Sequence, residues 1–165
     1  MIKMGDLSKS ALVDQSDLKI LDYLRRNTRE TMTRISKETG IPISSVFDRL
    51  KRLEAIGVIH RYTTLLDMKK IGIHVCVIVF FKTTDVMKQS LEHWLKDNKH
   101  VNTLIRINGD WDFMAEALFN NIRALEAFTQ EIREEFEGVQ CSVQYILDDL
   151  KREGFSPELY EQLEE

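Results

Sequence analysis

The stretch "TRISKETGIPISSVFDRLKRLEAIG", residues 33–57, holds two short helical patterns separated by a glycine. Gly40 is placed to end the first helix in the left-handed backbone conformation, which glycine adopts at little cost. The second helix carries apolar residues at helical spacing, at Val46, Leu50 and Leu53. Two short helices joined by a tight turn predict a helix-turn-helix, a motif whose second helix enters the major groove of DNA.

A further helix precedes this pair. The run "DQSDLKILDYLRR", residues 14–26, is amphipathic, with Asp14 placed as its N-cap, and Thr31 is placed to cap the next helix. After the third helix, "VIHRYTTLLD", residues 58–67, is β-branched and aromatic and predicts a strand or wing. We therefore expect residues 1–66 to form an N-terminal tail and a winged helix-turn-helix domain.

The exposed face of the third helix carries polar and basic side chains that suit a DNA surface. Its N-terminal residues are expected to approach base edges, and the basic residues to hold phosphates. The predicted DNA contacts are Ser44, Ser45, Phe47, Asp48, Arg49, Lys51, Arg52 and Arg61. Asp48 is the exception, because a carboxylate repels phosphate; it could accept from a cytosine amino group or pair with Arg52, its i+4 neighbour.

The net charge of −4 is unevenly distributed along the chain. Residues 1–70 carry 14 Lys and Arg against 9 Asp and Glu, whereas residues 71–165 carry 9 against 18. A basic part suits a polyanion, and the acidic remainder indicates a second role. A three-helix interaction module with solvated charges is the alternative, but helix spacing and charge asymmetry together favour DNA binding.

The second part of the chain follows a charged linker, residues 67–72, and extends over residues 73–150. Its apolar patterns alternate as β-α-β-β-α-β, with strands at 73–83, 101–107, 111–119 and 139–147 and helices at 85–98 and 121–138. This order predicts a ferredoxin-like α+β domain with both helices on one face of the sheet. Residues 151–165 are expected to be an acidic tail.

The other face of such a sheet would be bare. Apolar strand residues that would need a cover there are Val75, Val77, Ile105 and Ile107. Pairing with the sheet of a second copy is the simplest cover, so a homo-oligomer is expected.

Catalysis and metal binding have little support in the sequence. Asp110 and Asp112 lie two residues apart across a tight turn, so at least one of these carboxylates should be solvated and unsuited to acid-base chemistry. No nucleophile elbow, phosphate loop or zinc signature is present, and Cys76 and Cys141 lie in apolar runs typical of buried thiols. We expect no enzyme activity, metal, disulfide or cofactor, and, since no apolar run reaches a membrane span of roughly 18 residues, a cytoplasmic, nucleoid-associated protein.

These motifs together resemble the Lrp/AsnC, or feast/famine, family of transcription regulators. The resemblance covers about residues 13–150 and rests on "DQSDLKILDYL", on the segment from "ISKETG" to "KKIG", and on "NGDWDF" between two strands. It implies a winged helix-turn-helix joined to a ferredoxin-like effector and oligomerisation domain. Members pair through their sheets, assemble further into tetramers or octamers, and bind pseudo-palindromic DNA; many bind an amino acid between dimers.

The resemblance also implies an effector site at the turn between the second and third strands. It carries over Gly109 and Asp112 as effector contacts, with Asp110 and Trp111 beside them. Glycine lets a ligand approach the backbone, and a carboxylate can take an α-ammonium group. The chain departs from the family at Gln144, where threonine is common, and at the bulky Trp111; a hairpin turn without a ligand is the alternative.

Two other functions share this architecture. Sirohaem decarboxylases resemble the chain in both domains, but their hairpin carries a histidine and a tyrosine-asparagine pair where this chain has "RINGDWDF", residues 106–113. An amino-acid sensor that acts on another protein would bind a ligand without DNA. The basic third helix favours a DNA-binding transcription regulator whose activity responds to an amino acid.

Overall fold

Three helices open the computed structural model, which describes residues 12–158. They are α1 (Gln15–Arg26), α2 (Met32–Thr39) and α3 (Ile43–Ala55). The predicted N-terminal tail as far as residue 11, and the acidic tail from residue 159, lie outside the described residues.

The predicted helix caps are confirmed. The Asp14 carboxylate accepts from the Asp17 N–H at 2.9 Å while the Asp17 carboxylate accepts from the Asp14 N–H at 2.9 Å, a reciprocal capping box. Thr31 Oγ1 accepts from the Arg34 N–H at 3.2 Å at the start of α2. Gly40 adopts φ +71° between α2 and α3, so the turn of the helix-turn-helix uses the left-handed conformation.

The core of the three helices uses one face of each. Its buried residues are Ile20, Leu24, Ile35, Val46 and Leu50, with Tyr23, Ile41 and Ile59 packed against them. Because α3 contributes one face to this core, its opposite face remains open.

The strand predicted after α3 is wrong for the single chain, since residues 58–66 contain no strand. The Val58 and Ile59 N–H groups donate to the Leu53 carbonyl at 2.9 and 3.1 Å, which continues the end of α3. Tyr62 Oη donates to Glu54 Oε1 at 2.7 Å, and burial raises the pKa of Tyr62 to about 12. A β-branched sequence forms a strand only where a neighbouring backbone pairs with it, and among residues 12–158 no backbone pairs with this segment.

The second group of elements follows a 3-10 turn at Lys69–Ile71. Its elements are β1 (Val75–Lys82), α4 (Asp85–Asp97), β2 (Val101–Arg106), β3 (Phe113–Phe119), α5 (Ile122–Glu135) and β4 (Gln140–Tyr145). The strands form one antiparallel sheet in the order β2-β3-β1-β4. The predicted βαββαβ ferredoxin-like order is confirmed.

The helices α4 and α5 cover one face of the sheet and leave the other face open. Val77, Val79 and Phe81 are fully buried in the core that the sheet forms with α4 and α5. The alternate residues of β1 point to the opposite side, which we call the open face. Its residues on the two central strands are Cys76, Ile78, Phe80, Met114, Glu116 and Leu118.

The prediction for the uncovered residues was therefore partly wrong. Val75 and Val77 point toward the helices, because they lie on the same side of β1 as the buried Phe81. Ile105 pairs with Met114 and is 44% exposed on the open face, as predicted. Ile107 lies past the end of β2, in the hairpin turn.

The described residues divide into two units. The first comprises residues 12–65 with 151–158, and the second comprises residues 66–150. Across residues 12–158, every helix is too short or too polar to span a lipid bilayer.

Candidate nucleic-acid interface and effector turn

The open side of α3 presents a mixed polar and aromatic surface. Ser44, Phe47, Asp48 and Lys51 are exposed, and Ser45 is half-buried. Lys51 Nζ lies 4.3 Å from the centre of the Phe47 ring, a cation-π contact that leaves the ammonium group at the surface. Five of the predicted DNA contacts thus lie together on α3.

The other two predicted contacts on α3 turn toward the start of α1. Arg49 Nη1 donates to Asp14 Oδ2 at 2.6 Å and to Asp17 Oδ1 at 2.8 Å. Arg52 Nη2 donates to Asp17 Oδ2, and its Nη1 donates to the Leu12 carbonyl at 2.8 Å. We call Asp14, Asp17, Arg49 and Arg52 the acid-arginine cluster; together with Ser45 and Asp48 they border a shallow recess.

Asp14 and Arg49 stabilise each other's charged forms. Partial burial raises the pKa of the Asp14 carboxyl, but hydrogen bonds from Arg49 and from the Asp17 N–H outweigh this and leave the pKa below its ordinary value. Hydrogen bonds to Asp14 and Asp17 raise the pKa of Arg49. Each arginine is therefore already neutralised inside its own unit.

The acid-arginine cluster decides one of the two alternatives for Asp48, its pairing with Arg52. Arg52 donates to Asp17 and to the Leu12 carbonyl, so the i+4 pair between Asp48 and Arg52 is not formed. Within residues 12–158, no ion pair includes Asp48, and its carboxylate is exposed on the α3 surface.

Other basic residues of the first unit are distributed around the helices. Arg61 is exposed in the segment that follows α3. Arg25 Nη2 donates to the Glu153 carboxylate at 2.6 Å and to its carbonyl at 2.8 Å. No periodic signal could have predicted this contact, because 128 residues separate its partners in the sequence.

The hairpin turn between β2 and β3 is the candidate effector site. Gly109 is exposed with φ +98°, a conformation that side-chain-bearing residues rarely adopt. Asp110 beside it is exposed, and within residues 12–158 it enters no ion pair. The tip of the turn is therefore accessible.

Asp112 is paired inside its own unit. Its Oδ1 lies 2.7 Å from Lys88 Nζ, and its Oδ2 accepts from the Thr83 N–H at 2.9 Å. The hydrogen bond from Lys88 lowers the pKa of the Asp112 carboxyl, and the Thr83 N–H adds to this effect. Asp112 thus ties the hairpin to the junction between β1 and α4.

Trp111 and Gln144 belong to the open face of the sheet. The Trp111 ring centre lies 6.0 Å from that of Phe80. Phe80 pairs with Ser142 and Ile78 with Gln144, so Gln144 follows one step along the same face. The structure thus directs Trp111 to the open face and Asp112 to Lys88 of α4. Among residues 12–158, no three His, Cys, Asp or Glu side chains come together as metal ligands.

Two family models match the chain, one in each of its two parts. Residues 13–60 match a winged helix-turn-helix DNA-binding domain, and residues 76–154 match the Lrp/AsnC ligand binding domain. The glutamate uptake regulatory protein of Zymomonas mobilis is 27% identical over 148 residues, which cover 88% of this chain and 90% of that protein.

Solved structures share the fold. LrpC of Bacillus subtilis superposes with a TM-score of 0.78 at 23% identity, covering 86% of this chain and 99% of that chain. A transcriptional regulator of Neisseria meningitidis, solved as a complex with L-methionine, gives a TM-score of 0.77 at 22% identity, covering 85% and 93%. With both domain models matched in sequence order, the chain belongs to the Lrp/AsnC family of DNA-binding transcription regulators.

Proposed function

We propose that this regulator binds pseudo-palindromic DNA as a homodimer or larger homo-oligomer, with α3 in the major groove and an amino acid as effector. The observation that carries the proposal is the division of α3 into two faces. Val46, Leu50 and Leu53 bury one face, while the other presents Phe47 and Lys51 to the surface. A helix that leaves such a surface open among the described residues can enter a groove.

The residues on the open side of α3 have chemically suitable roles on DNA. Ser44 and Ser45, near the helix N-terminus, donate or accept at base edges. Phe47 packs against a thymine methyl group, and Lys51 holds a phosphate. Arg61 adds a phosphate contact from the segment after α3.

Asp48 is proposed to select a base. A carboxylate near phosphates is repelled, whereas in the major groove it can accept from the amino group of cytosine. Arg52 is paired with Asp17, and within residues 12–158 Asp48 enters no ion pair, so its carboxylate is available to a base. One position of each half-site should then prefer cytosine.

The open face supports homodimerisation. Ile78, Phe80, Met114 and Leu118 form a continuous apolar surface across β1 and β3. Glu116 lies among them and is 8% exposed, but it accepts hydrogen bonds from Asn102 Nδ2 at 3.2 Å and Thr103 Oγ1 at 3.3 Å.

A second copy of the sheet would cover this surface without stranding the Glu116 carboxylate, because that group is satisfied from its own chain. A two-fold pair then places the DNA half-sites about one helical turn, or a multiple of it, apart.

The hairpin turn is proposed to bind the effector between subunits, through Gly109, Asp110, Trp111, Asp112 and Gln144. The L-methionine complex of the Neisseria meningitidis regulator supports an amino acid as the ligand class. A buried hydroxyl also supports it, since Thr83 Oγ1 has no hydrogen-bond partner among residues 12–158. An ammonium group at this turn would share Asp112 with Lys88.

The test begins with DNA selected from a random library by the full chain. Enriched fragments should contain an inverted repeat, and Lys51→Gln should weaken binding to them. Lys99→Gln is the matched control, because it removes the same charge from an exposed site of the second unit. Failure to enrich any sequence, or equal affinity of Lys51→Gln and wild type, contradicts the proposal.

A further inference from the structure

We infer that Arg49 and Arg52 are positioning residues that lock α3 to α1 through Asp17, and that they do not serve as phosphate contacts. The inference rests on the proposed function, because it concerns how α3 is presented to DNA. It divides the basic residues of α3 into two kinds, with Lys51 facing the surface and the two arginines facing the acids of α1.

Asp17 is the centre of this arrangement. Its side chain is fully buried, and both of its oxygens are used. Oδ1 accepts from Arg49, while Oδ2 accepts from Arg52 and from the Asp14 N–H. A buried carboxylate is tolerated when charged donors surround it, and removing those donors leaves an uncompensated buried charge. The two arginines therefore satisfy a requirement of the folded unit.

The spacing of the four residues makes a direct link between two helices. Asp14 and Asp17 are three residues apart at the start of α1, and Arg49 and Arg52 are three residues apart on α3. Residues at this spacing lie on one side of a helix, so the two pairs meet side by side. The acid-arginine cluster therefore joins α1 directly to α3, in addition to the apolar core that the three helices share.

The same contacts argue against counting the two arginines among the residues that neutralise DNA phosphates. Each guanidinium already bonds a carboxylate, so its charge is largely offset and a phosphate would have to compete with Asp14 or Asp17 for it. Lys51 has no carboxylate partner among residues 12–158 and rests against an aromatic ring. Neutralising a phosphate with a free cation releases counterions and steepens the salt dependence of binding, whereas orienting a helix does not.

The experiment measures DNA affinity of the full chain against salt concentration for Arg52→Gln, Arg49→Gln and Lys51→Gln. Lys51→Gln is expected to reduce the slope of log affinity against log salt by about 1. Each arginine variant is expected to weaken binding roughly 10-fold at every salt concentration, with the slope of the wild type. A slope reduced by about 1 in the arginine variants overturns the inference.

Arg52→Lys adds an independent readout. Arg52 donates from Nη1 to the Leu12 carbonyl and from Nη2 to Asp17, a fork that a single ammonium group does not reproduce. Positioning therefore predicts that lysine fails to restore affinity. Recovery of wild-type affinity in Arg52→Lys contradicts the inference, because a phosphate accepts lysine as readily.

Hydrogen exchange of the α3 amides separates positioning from unfolding. Affinities are compared only at temperatures where measurable protection of the amides shows that a variant is still folded. Wild-type affinity in a folded Asp17→Asn chain contradicts positioning. If the wild type itself binds no DNA specifically, the proposed function fails. In that case hydrogen exchange still tests whether the arginines hold α3 against α1. Protection of the α3 amides in Asp17→Asn equal to that of the wild type overturns this claim.

Discussion

Arg49 Nη1 donates to Asp17 Oδ1 at 2.8 Å across 32 residues of sequence, and this bond joins the start of α1 to the outward side of α3. Asp17 is fully buried while the Arg49 side chain is 28% exposed. The partly exposed guanidinium of this α3 arginine therefore compensates a buried charge of its own unit, the Asp17 carboxylate.

The stability of the first unit should depend on Asp17. Replacement by asparagine removes the charge that both arginines bond, and should lower the free energy of unfolding of this unit by about 2–3 kcal/mol. Hydrogen exchange of the α1, α2 and α3 amides measures it. Asp22→Asn is the matched control on the same helix, because among residues 12–158 Asp22 pairs only with the 73%-exposed Arg26, and should cost less than about 1 kcal/mol. Equal costs in the two variants contradict a structural role for the cluster.

The acid stability of the second unit should depend on Asp112. The folded-state pKa of its carboxyl lies below the ordinary value of 3.8, chiefly because Lys88 donates to it. The carboxylate therefore stabilises the folded unit fully above that pH, and the contribution is lost as pH falls through the folded-state pKa. Since both tryptophans, Trp94 and Trp111, lie in this unit, their fluorescence follows its unfolding.

Asp112→Asn should remove that acid dependence, and Asp110→Asn, at the exposed neighbour, should leave it unchanged. A steep acid dependence that survives in Asp112→Asn would assign the effect to another carboxyl group.

Base selection should depend on Asp48. With Asp48→Ala, sequences selected by the protein should lose their preference for cytosine at one position of each half-site, a discrimination of about 1–3 kcal/mol. Preferences at other positions should persist. An unchanged sequence profile in Asp48→Ala shows that this carboxylate contacts no base.

The oligomer should depend on the open face. Ile78→Asp places a charge at the centre of the apolar surface, pairing with Glu116 on one side, and should yield monomers in light scattering after size exclusion. Val86→Asp is the control, because Val86 is 86% exposed on α4 and lies away from the sheet. Retention of the wild-type mass by Ile78→Asp contradicts pairing through the sheets.

The effector should be detected by thermal shift. A ligand that binds only the folded chain raises the melting temperature, so a screen of the twenty amino acids should give at least one shift. Asp112→Asn should abolish it, with Asp97→Asn, an exposed acid of α4, as the control that keeps it. A shift that persists in Asp112→Asn moves the site away from the hairpin turn.

Local signals predicted most of this structure. Asp14, Thr31 and Gly40 marked helix ends by chemistry that acts within three or four residues, and the strand and helix periods specified the βαββαβ order. The strand predicted over segment 58–66 is wrong because strand formation depends on a pairing partner, and none is present among residues 12–158.

Contacts between residues far apart in the sequence also limited the prediction of the site. Helical spacing placed Arg49 and Arg52 on the exposed side of α3, yet could not show that acids 32 to 35 residues earlier would claim them. Two acids and two arginines, each pair at i,i+3 spacing, were visible in the sequence as a matching pattern. Pairing of side chains between elements is decided by tertiary packing, which periodicity does not encode.

The most direct test of the account is the affinity of the full chain for its selected DNA, titrated at several salt concentrations beside Lys51→Gln. We predict specific binding by the wild type that weakens steeply with salt, and a slope smaller by about 1 in the variant. Absence of sequence-specific binding, or identical slopes for the two proteins, would contradict the claim that the open side of α3 contacts DNA.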